Sequence, residues 1–315
     1  MLHLLALLLA VPGPVRAETV APNDNRAPAG TLTGRVLSVS LEARTGTWYP
    51  EGEQSRGLEV AAWGEPGKPL STPGPLIRAT VGTTVRVTLS NSLTRRLTIF
   101  GLGKIRGLAD SLILEPGARK EVEFSASAPG TYYYVARSAP DPFGGREPED
   151  GQLHGAIVID PPGGAAPDRV FLISWWFIID STSPTGLQRG TMAINGLSWP
   201  HTERIDMMQG DSARWRVINL TEAPHPMHLH GFYFSMRSKG NGVRDTLYTR
   251  DQERLAVTEI IQPFQTMSLA WSPDRPGNWI YHCHFIGHVS HLSSLDTERG
   301  ELNEGALSHH GSDRP

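Results

Sequence analysis

Two short stretches hold seven of the thirteen histidine and cysteine side chains: "HPMHLHG" (225–231) and "IYHCHFIGH" (280–288). Seven of the twelve histidines lie within 225–230 and 282–291, and Cys283 is the only cysteine in 315 residues. A lone cysteine is usually a small buried hydrophobe, but this one has an imidazole on either side. If "NWIYHCHF" is a strand, Trp279, Tyr281, Cys283 and Phe285 face one way and His282 and His284 the other. The cysteine and its flanking histidines then serve two sites, back to back. In the first stretch His228 and His230 share a face and His225 has the opposite parity. Cys283, His225 and His288 therefore supply one thiolate and two imidazoles, the trigonal donor set of blue-copper centres. The second site receives His228, His230, His282 and His284. Zinc takes the same donors, but structural zinc sites favour CxxC-type spacing and several thiolates. Copper is the expected cofactor.

These residues need strands to hold them, and the sequence is written in strands. Leu37, Val39, Leu41 and Ala43 alternate with Ser38, Ser40 and Glu42. Val85, Val87 and Leu89 alternate with Arg86, Thr88 and Ser90, and Val122 and Phe124 with Glu121 and Glu123. Such alternation predicts half-buried strands of antiparallel sheets. Helical periodicity is nearly absent, and 33 Gly with 25 Pro supply many turns. The chain also repeats itself. "LEPGARKEVEFSASAPGTYYYVARS" (114–138) lies without a gap on "IQPFQTMSLAWSPDRPGNWIYHCHF" (261–285), and "VGTTVRVTLSN" (81–91) on "QGDSARWRVIN" (209–219). Two copies of one β-sandwich unit are expected, over 28–160 and 168–295, joined by the Pro/Gly linker "DPPGGAAPDR" (160–169). Residues 296–315 read as a flexible polar tail, where His309 and His310 are incidental.

Length fits about two domains. A net charge of -3 implies no nucleic-acid partner. Residues 1–17, "MLHLLALLLAVPGPVRA", fit a cleaved signal peptide, with an apolar run at Leu4–Val11. That run is too short to span a bilayer and no other segment is long enough. Export to the periplasm or medium is expected, and one cysteine excludes an internal disulfide.

"HPMHLHG" followed by "HCHFIGH" resembles the C-terminal signature of the multicopper oxidases, a family of cupredoxin domains that includes laccases. Two such units with the blue site in the second resemble the two-domain laccases. The resemblance implies an all-β fold of two tandem cupredoxin-like Greek-key sandwiches and a homotrimer. It implies type 1 copper on His225, Cys283 and His288, type 2 copper at His228, and the type 3 pair at His230, His282 and His284. It places the axial position at Ser293, where Met or Leu is typical, and His291 and Leu292 stand beside it as alternatives. Met207, Met208 and Met227 are soft donors, but scattered methionines are more often core packing.

The chain departs from the family in its first unit. A working cluster takes four histidines from HxHG and HxH motifs there. Matching "HLHG" to "TIFG" (98–101) and "HCH" to "VAR" (135–137) puts Thr98, Phe100, Val135 and Arg137 in their places. No histidine occurs between 18 and 153, and His154 is expected at a loop or strand end. The expected function is an exported blue-copper oxidoreductase with an incomplete trinuclear cluster and no laccase-like dioxygen reduction. Its donor would be a small molecule, a metal ion or a redox protein. The alternatives are a non-enzymatic electron carrier or copper-binding protein, and a structural module with vestigial ligands. The intact triad argues against the last.

Overall fold

The alternating segments form strands with one face buried. Val36–Trp48 buries Leu37, Val39, Leu41 and Ala43, and Thr84–Asn91 buries Val85, Val87 and Leu89. The computed structural model describes residues 18–104, 106–138, 148–164, 167–179, 188–285, 288 and 295. The expected signal peptide, the tail and Ser293 lie outside them. Apart from two short 3-10 turns, Gly107–Ala109 and Pro148–Asp150, every described element with a defined span is a β-strand.

Four sheets make two sandwiches. In the first unit a seven-stranded sheet runs in the order Thr19–Pro22, Leu70–Thr72, Leu58–Gly64, Val36–Trp48, Thr84–Asn91, Arg119–Ser125, with Thr31–Thr33 beside Val36–Trp48. It faces a five-stranded sheet of Gly74–Thr80, His154–Asp160, Gly130–Arg137, Leu97–Phe100 and Ser111–Leu114. The second unit repeats this with a seven-stranded sheet around Arg169–Ile179 and Ala213–Asn219. Its opposite layer is a three-stranded sheet of Thr258–Ile261, His225–Leu229 and Tyr281–Cys283.

The sheets are mixed, not purely antiparallel as the alternation suggested. Leu37, Val39 and Leu41 run parallel to Val85, Val87 and Leu89, and Arg169–Ile179 runs parallel to Ala213–Asn219. Period-two alternation fixes which face a strand buries, not the direction of its neighbour.

The repeat holds at the level of single hydrogen bonds. Asn91 Nδ2 donates to the carbonyls of Arg95 and Leu114, and its Oδ1 accepts from Leu93 N–H. Asn219 Nδ2 donates to those of Ala223 and Ile261, and its Oδ1 accepts from Thr221 N–H. Gly82 and Gly210 turn the chain before matching strands at φ 90° and 89°, a left-handed backbone that disfavours a side chain.

Each unit has its own core. Trp63, Ile77, Val87, Leu89, Ile99, Tyr134 and Ile157 belong to the first, and Phe171, Trp215, Val217, Met227, Phe234, Met236 and Cys283 to the second. A third apolar cluster joins the units. Leu76, Phe100, Tyr133, Val135, Ala156 and Val158 pack on Val170, Leu172, Ile218 and Leu220. The linker is pinned at both ends by Arg78, which bonds Asp160 and Asp168 at 2.7 Å each; Arg216 reaches Asp168 at 2.6 Å. Burial acts to raise the Asp168 carboxyl pKa, but the hydrogen bonds and charges of Arg78 and Arg216 outweigh it and hold it below the usual range.

Candidate metal centre

The three-stranded sheet carries the donors. His225–Leu229 is its middle strand. Met227 lies opposite Cys283, and His228 opposite His282. The last strand is shorter than "NWIYHCHF", covering only Tyr281–Cys283. Single backbone bonds extend the pairing at either end, from His230 N–H to the Ile280 carbonyl and from His284 N–H to the Pro226 carbonyl. Past His230 the partner chain turns away at Gly231, φ 79°.

The back-to-back arrangement is realised. Cys283, 7% exposed, and His225, 1% exposed, look into the sandwich. Cys283 Sγ lies 3.3 Å from His288 Nδ1, which lies 3.2 Å from His225 Nδ1. Among the described residues, His225, Cys283 and His288 are the one group of three or more His, Cys, Asp or Glu donors within 4.8 Å of one another.

On the outward face the rings of His228, His230, His282 and His284 cluster with centroids 4.9–5.7 Å apart. Only one pair of their ring nitrogens is in close contact: His230 Nε2 and His282 Nε2, at 2.9 Å. His228 Nδ1 donates to the Val257 carbonyl at 2.8 Å, and His282 Nδ1 lies 2.7 Å from the Cys283 carbonyl. A carbonyl can only accept, so both rings present an unprotonated Nε2 to the cluster when neutral.

Burial sets the protonation of the inward donors. It holds His225 down to about 4, with the neighbouring His288 adding to the effect. It also lowers His288, and it raises the Cys283 thiol against a smaller opposing effect of the Phe285 backbone. His228 and His282 are likewise lowered, by burial first. At neutral pH the imidazoles are neutral donors, while the thiol keeps its proton until a cation displaces it. One thiolate and two converging imidazole nitrogens in an apolar wall fit copper.

The register moves one sequence expectation. Leu97 pairs with Leu114 as His225 pairs with Ile261, and Phe100 pairs with Val135 as His228 pairs with His282. The counterparts of His228 and His230 are therefore Phe100 and Leu102, not Thr98 and Phe100. The sequence match took Gly101 for the partner of Gly231, where the structural partner is Gly103. His282 and His284 correspond to Val135 and Arg137 as expected. Phe100, Leu102, Val135 and Arg137 are all buried. Phe100 and Val135 pack within the contact between the units, so they form no open wall. His154 is a fully buried strand-end residue, its Nδ1 3.0 Å from the Gly151 carbonyl.

Sequence reasoning missed Thr221, whose Oγ1 lies 2.8 Å from His225 Nε2. The repeat carried the signal: Asn91 and Asn219 agree, but two residues later Leu93 stands where the second unit has Thr221.

Residues 178–295 match the sequence model of the multicopper oxidase family. That stretch takes in most of the second unit, with both histidine motifs. Over 82% of its length the chain is 27% identical to a probable nitrite reductase-hydroxylamine oxidoreductase fusion protein of Kuenenia stuttgartiensis, of which it covers 31%. It is 23% identical over 42% of its length to copper resistance protein A of Pseudomonas syringae pv. tomato, covering 19% of that protein. The chain thus spans less than a third of these relatives. The blue copper oxidase of Nitrosomonas europaea shares the fold at TM-score 0.65, with 22% identity and 82% of each chain covered. The copper nitrite reductase of Nitrosomonas europaea does so at TM-score 0.62, with 19% identity over 82% of this chain and 92% of that one. Both sandwiches are therefore cupredoxin-like. No described helix is long and apolar enough to cross a membrane.

Proposed function

We propose that this chain is an exported blue-copper oxidoreductase with an incomplete trinuclear cluster. The observation that carries the reading is the convergence of Cys283 Sγ, His225 Nδ1 and His288 Nδ1. Bound there, copper would cycle between its two oxidation states and pass single electrons. Cys283 would release its proton on binding, His225 and His288 would bind through neutral nitrogens, and the surrounding core would exclude water. His228, His230, His282 and His284 would hold a residual copper, centred on the His230 and His282 pair. Four-electron reduction of dioxygen is not expected, because Phe100, Leu102, Val135 and Arg137 offer no ligand. Export rests on the composition of residues 1–17.

The test is copper content per chain beside a visible spectrum. An intense blue band lost in Cys283→Ser supports the reading, and copper-loaded protein without the band ends it. Turnover of phenols or metal ions separates an enzyme from an electron carrier. A second reading is reduction of a small acceptor that needs one electron, such as nitrite. The relative named for nitrite reduction favours it, because it aligns over most of the chain rather than the second unit alone.

We also propose a homotrimer. In the first unit the sheet face bearing Phe100 and Val135 is covered by the second unit. The equivalent face of the second unit, with His228, His282, Ile260 and Ile280, is not: Ile260 is 47% and Ile280 46% exposed. Covering it with the next copy gives a head-to-tail contact, and a rotation of one third of a turn per copy would close it into a three-membered ring.

A further inference from the structure

We infer that Thr221 is a positioning residue that sets which nitrogen of His225 faces the metal; this rests on the blue-copper reading above. His225 and Thr221 are both buried, at 1% and 0% exposure, so their polar atoms must satisfy one another. Four neighbours converge on Thr221 Oγ1: Asn219 Oδ1 at 2.8 Å, the Ala223 carbonyl at 3.1 Å, Ala223 N–H at 3.2 Å and His225 Nε2 at 2.8 Å. The hydroxyl has one proton to give.

Asn219 decides where that proton goes. Its Nδ2 faces three carbonyls, those of Ala223, Ile261 and Gln262, which fixes the amide orientation. Its Oδ1 is thereby turned to Thr221, where it accepts the backbone N–H at 2.9 Å and the hydroxyl at 2.8 Å. His225 Nε2 is a third acceptor in reach, but two oxygens 2.8 Å apart need a proton between them and Asn219 Oδ1 has none to give, so the hydroxyl proton goes to Asn219. The oxygen is left to accept from His225, which must carry its proton on Nε2. His225 Nδ1 is then bare, and it is the nitrogen 3.2 Å from His288 Nδ1 beside the Cys283 sulfur.

The first unit supplies an internal control. It keeps the asparagine, as Asn91 with the same bonds to the loop, so the asparagine serves the fold in both copies. It has Leu97 in place of His225 and Leu93 in place of Thr221. The hydroxyl is absent where the ligand is absent, although both leucines are buried, Leu93 at 5% and Leu97 at 0% exposure. A hydroxyl needed only to cap this loop would be needed in both units.

The experiment compares wild type, Thr221→Val and Thr221→Ser in two measurements. Nitrogen-detected NMR of the metal-free wild type reads the His225 tautomer; Nε2–H is expected, and Nδ1–H overturns the inference. Copper(II) titration under a competing chelator reads affinity. Losing the outer partner of a ligand histidine typically costs about 10–100-fold. Thr221→Val is expected to weaken binding by at least about tenfold and shift the blue band, and Thr221→Ser to stay within about threefold of wild type. Wild-type affinity in Thr221→Val, with an unchanged band, refutes it. A wild type that binds no copper at Cys283 ends the copper reading instead, and the tautomer measurement still decides the role of Thr221. Should Thr221→Val fail to fold, the wild-type tautomer and the serine variant carry the test.

Discussion

His225 makes the metal-free protein acid-sensitive by an amount that can be worked out. Its imidazole titrates at about 4 in the folded state, against an ordinary 6.5. Between those values the unfolded chain binds a proton that the folded chain does not. Stability therefore falls as pH falls through this window. At roughly 1.4 kcal/mol per pH unit, the loss between about pH 6.5 and 4 comes to about 3 kcal/mol for this one group. Above 6.5 neither state is protonated and the loss vanishes. The substitution His225→Leu isolates it, because Leu97 already occupies the equivalent buried position in the first unit. Urea unfolding of both metal-free proteins is followed from about pH 7.5 to 4. The variant is expected to gain about 3 kcal/mol on wild type across that range, beginning near 6.5. Parallel stability curves would refute the reasoning, since a solvated imidazole titrating normally gives the same protonation in both states.

Metal analysis should find one to two coppers per chain, and oxygen electrodes should record no laccase-like uptake with phenols; close to four coppers would mean that unseen ligands rebuild the cluster. Light scattering at micromolar concentration should give a trimer, and a monomer would leave the histidine face uncovered. Restoring imidazoles with Phe100→His and Val135→His should not raise copper content, because both positions lie inside the contact between the units. Each should cost about 2–4 kcal/mol in denaturant unfolding, and recovery of copper without that loss would show the contact opens.

The inward triad was legible in the sequence because parity along a strand is local. Cys283 and His282 must face opposite ways whatever the strand pairs with, and His225 differs in parity from His228. The repeat was legible because Asn91, Gly82 and Gly130 hold backbone positions that the second unit needs again. What was not legible came from pairing. The match of "HLHG" to "TIFG" chose the wrong glycine, and only the ladder of Leu97 with Leu114 and Phe100 with Val135 corrects it. Mixed sheets escaped notice for the same reason, as strand direction leaves no mark on alternation. Thr221 was passed over because one threonine four residues from a histidine means nothing until both are seen to be buried.

The positions matching the second unit's donors fall into two sets, and each set has its own logic. On the inward side, Leu93, Leu97 and Ala136 stand where the second unit has Thr221, His225 and Cys283. All six are buried, so one unit fills with hydrocarbon a space that the other fills with donors and their support. On the outward side, Phe100 and Val135 stand where the second unit has His228 and His282. There the difference is one of surface: apolar side chains let the first unit dock on Val170, Leu172, Ile218 and Leu220. Burying neutral imidazoles there, without a metal or hydrogen-bond partners, would oppose that docking. The first unit thus uses this face to hold the second, and the second keeps the equivalent face for its histidines. In the first unit this face serves packing, and the clustered histidines lie in the second unit alone among the described residues.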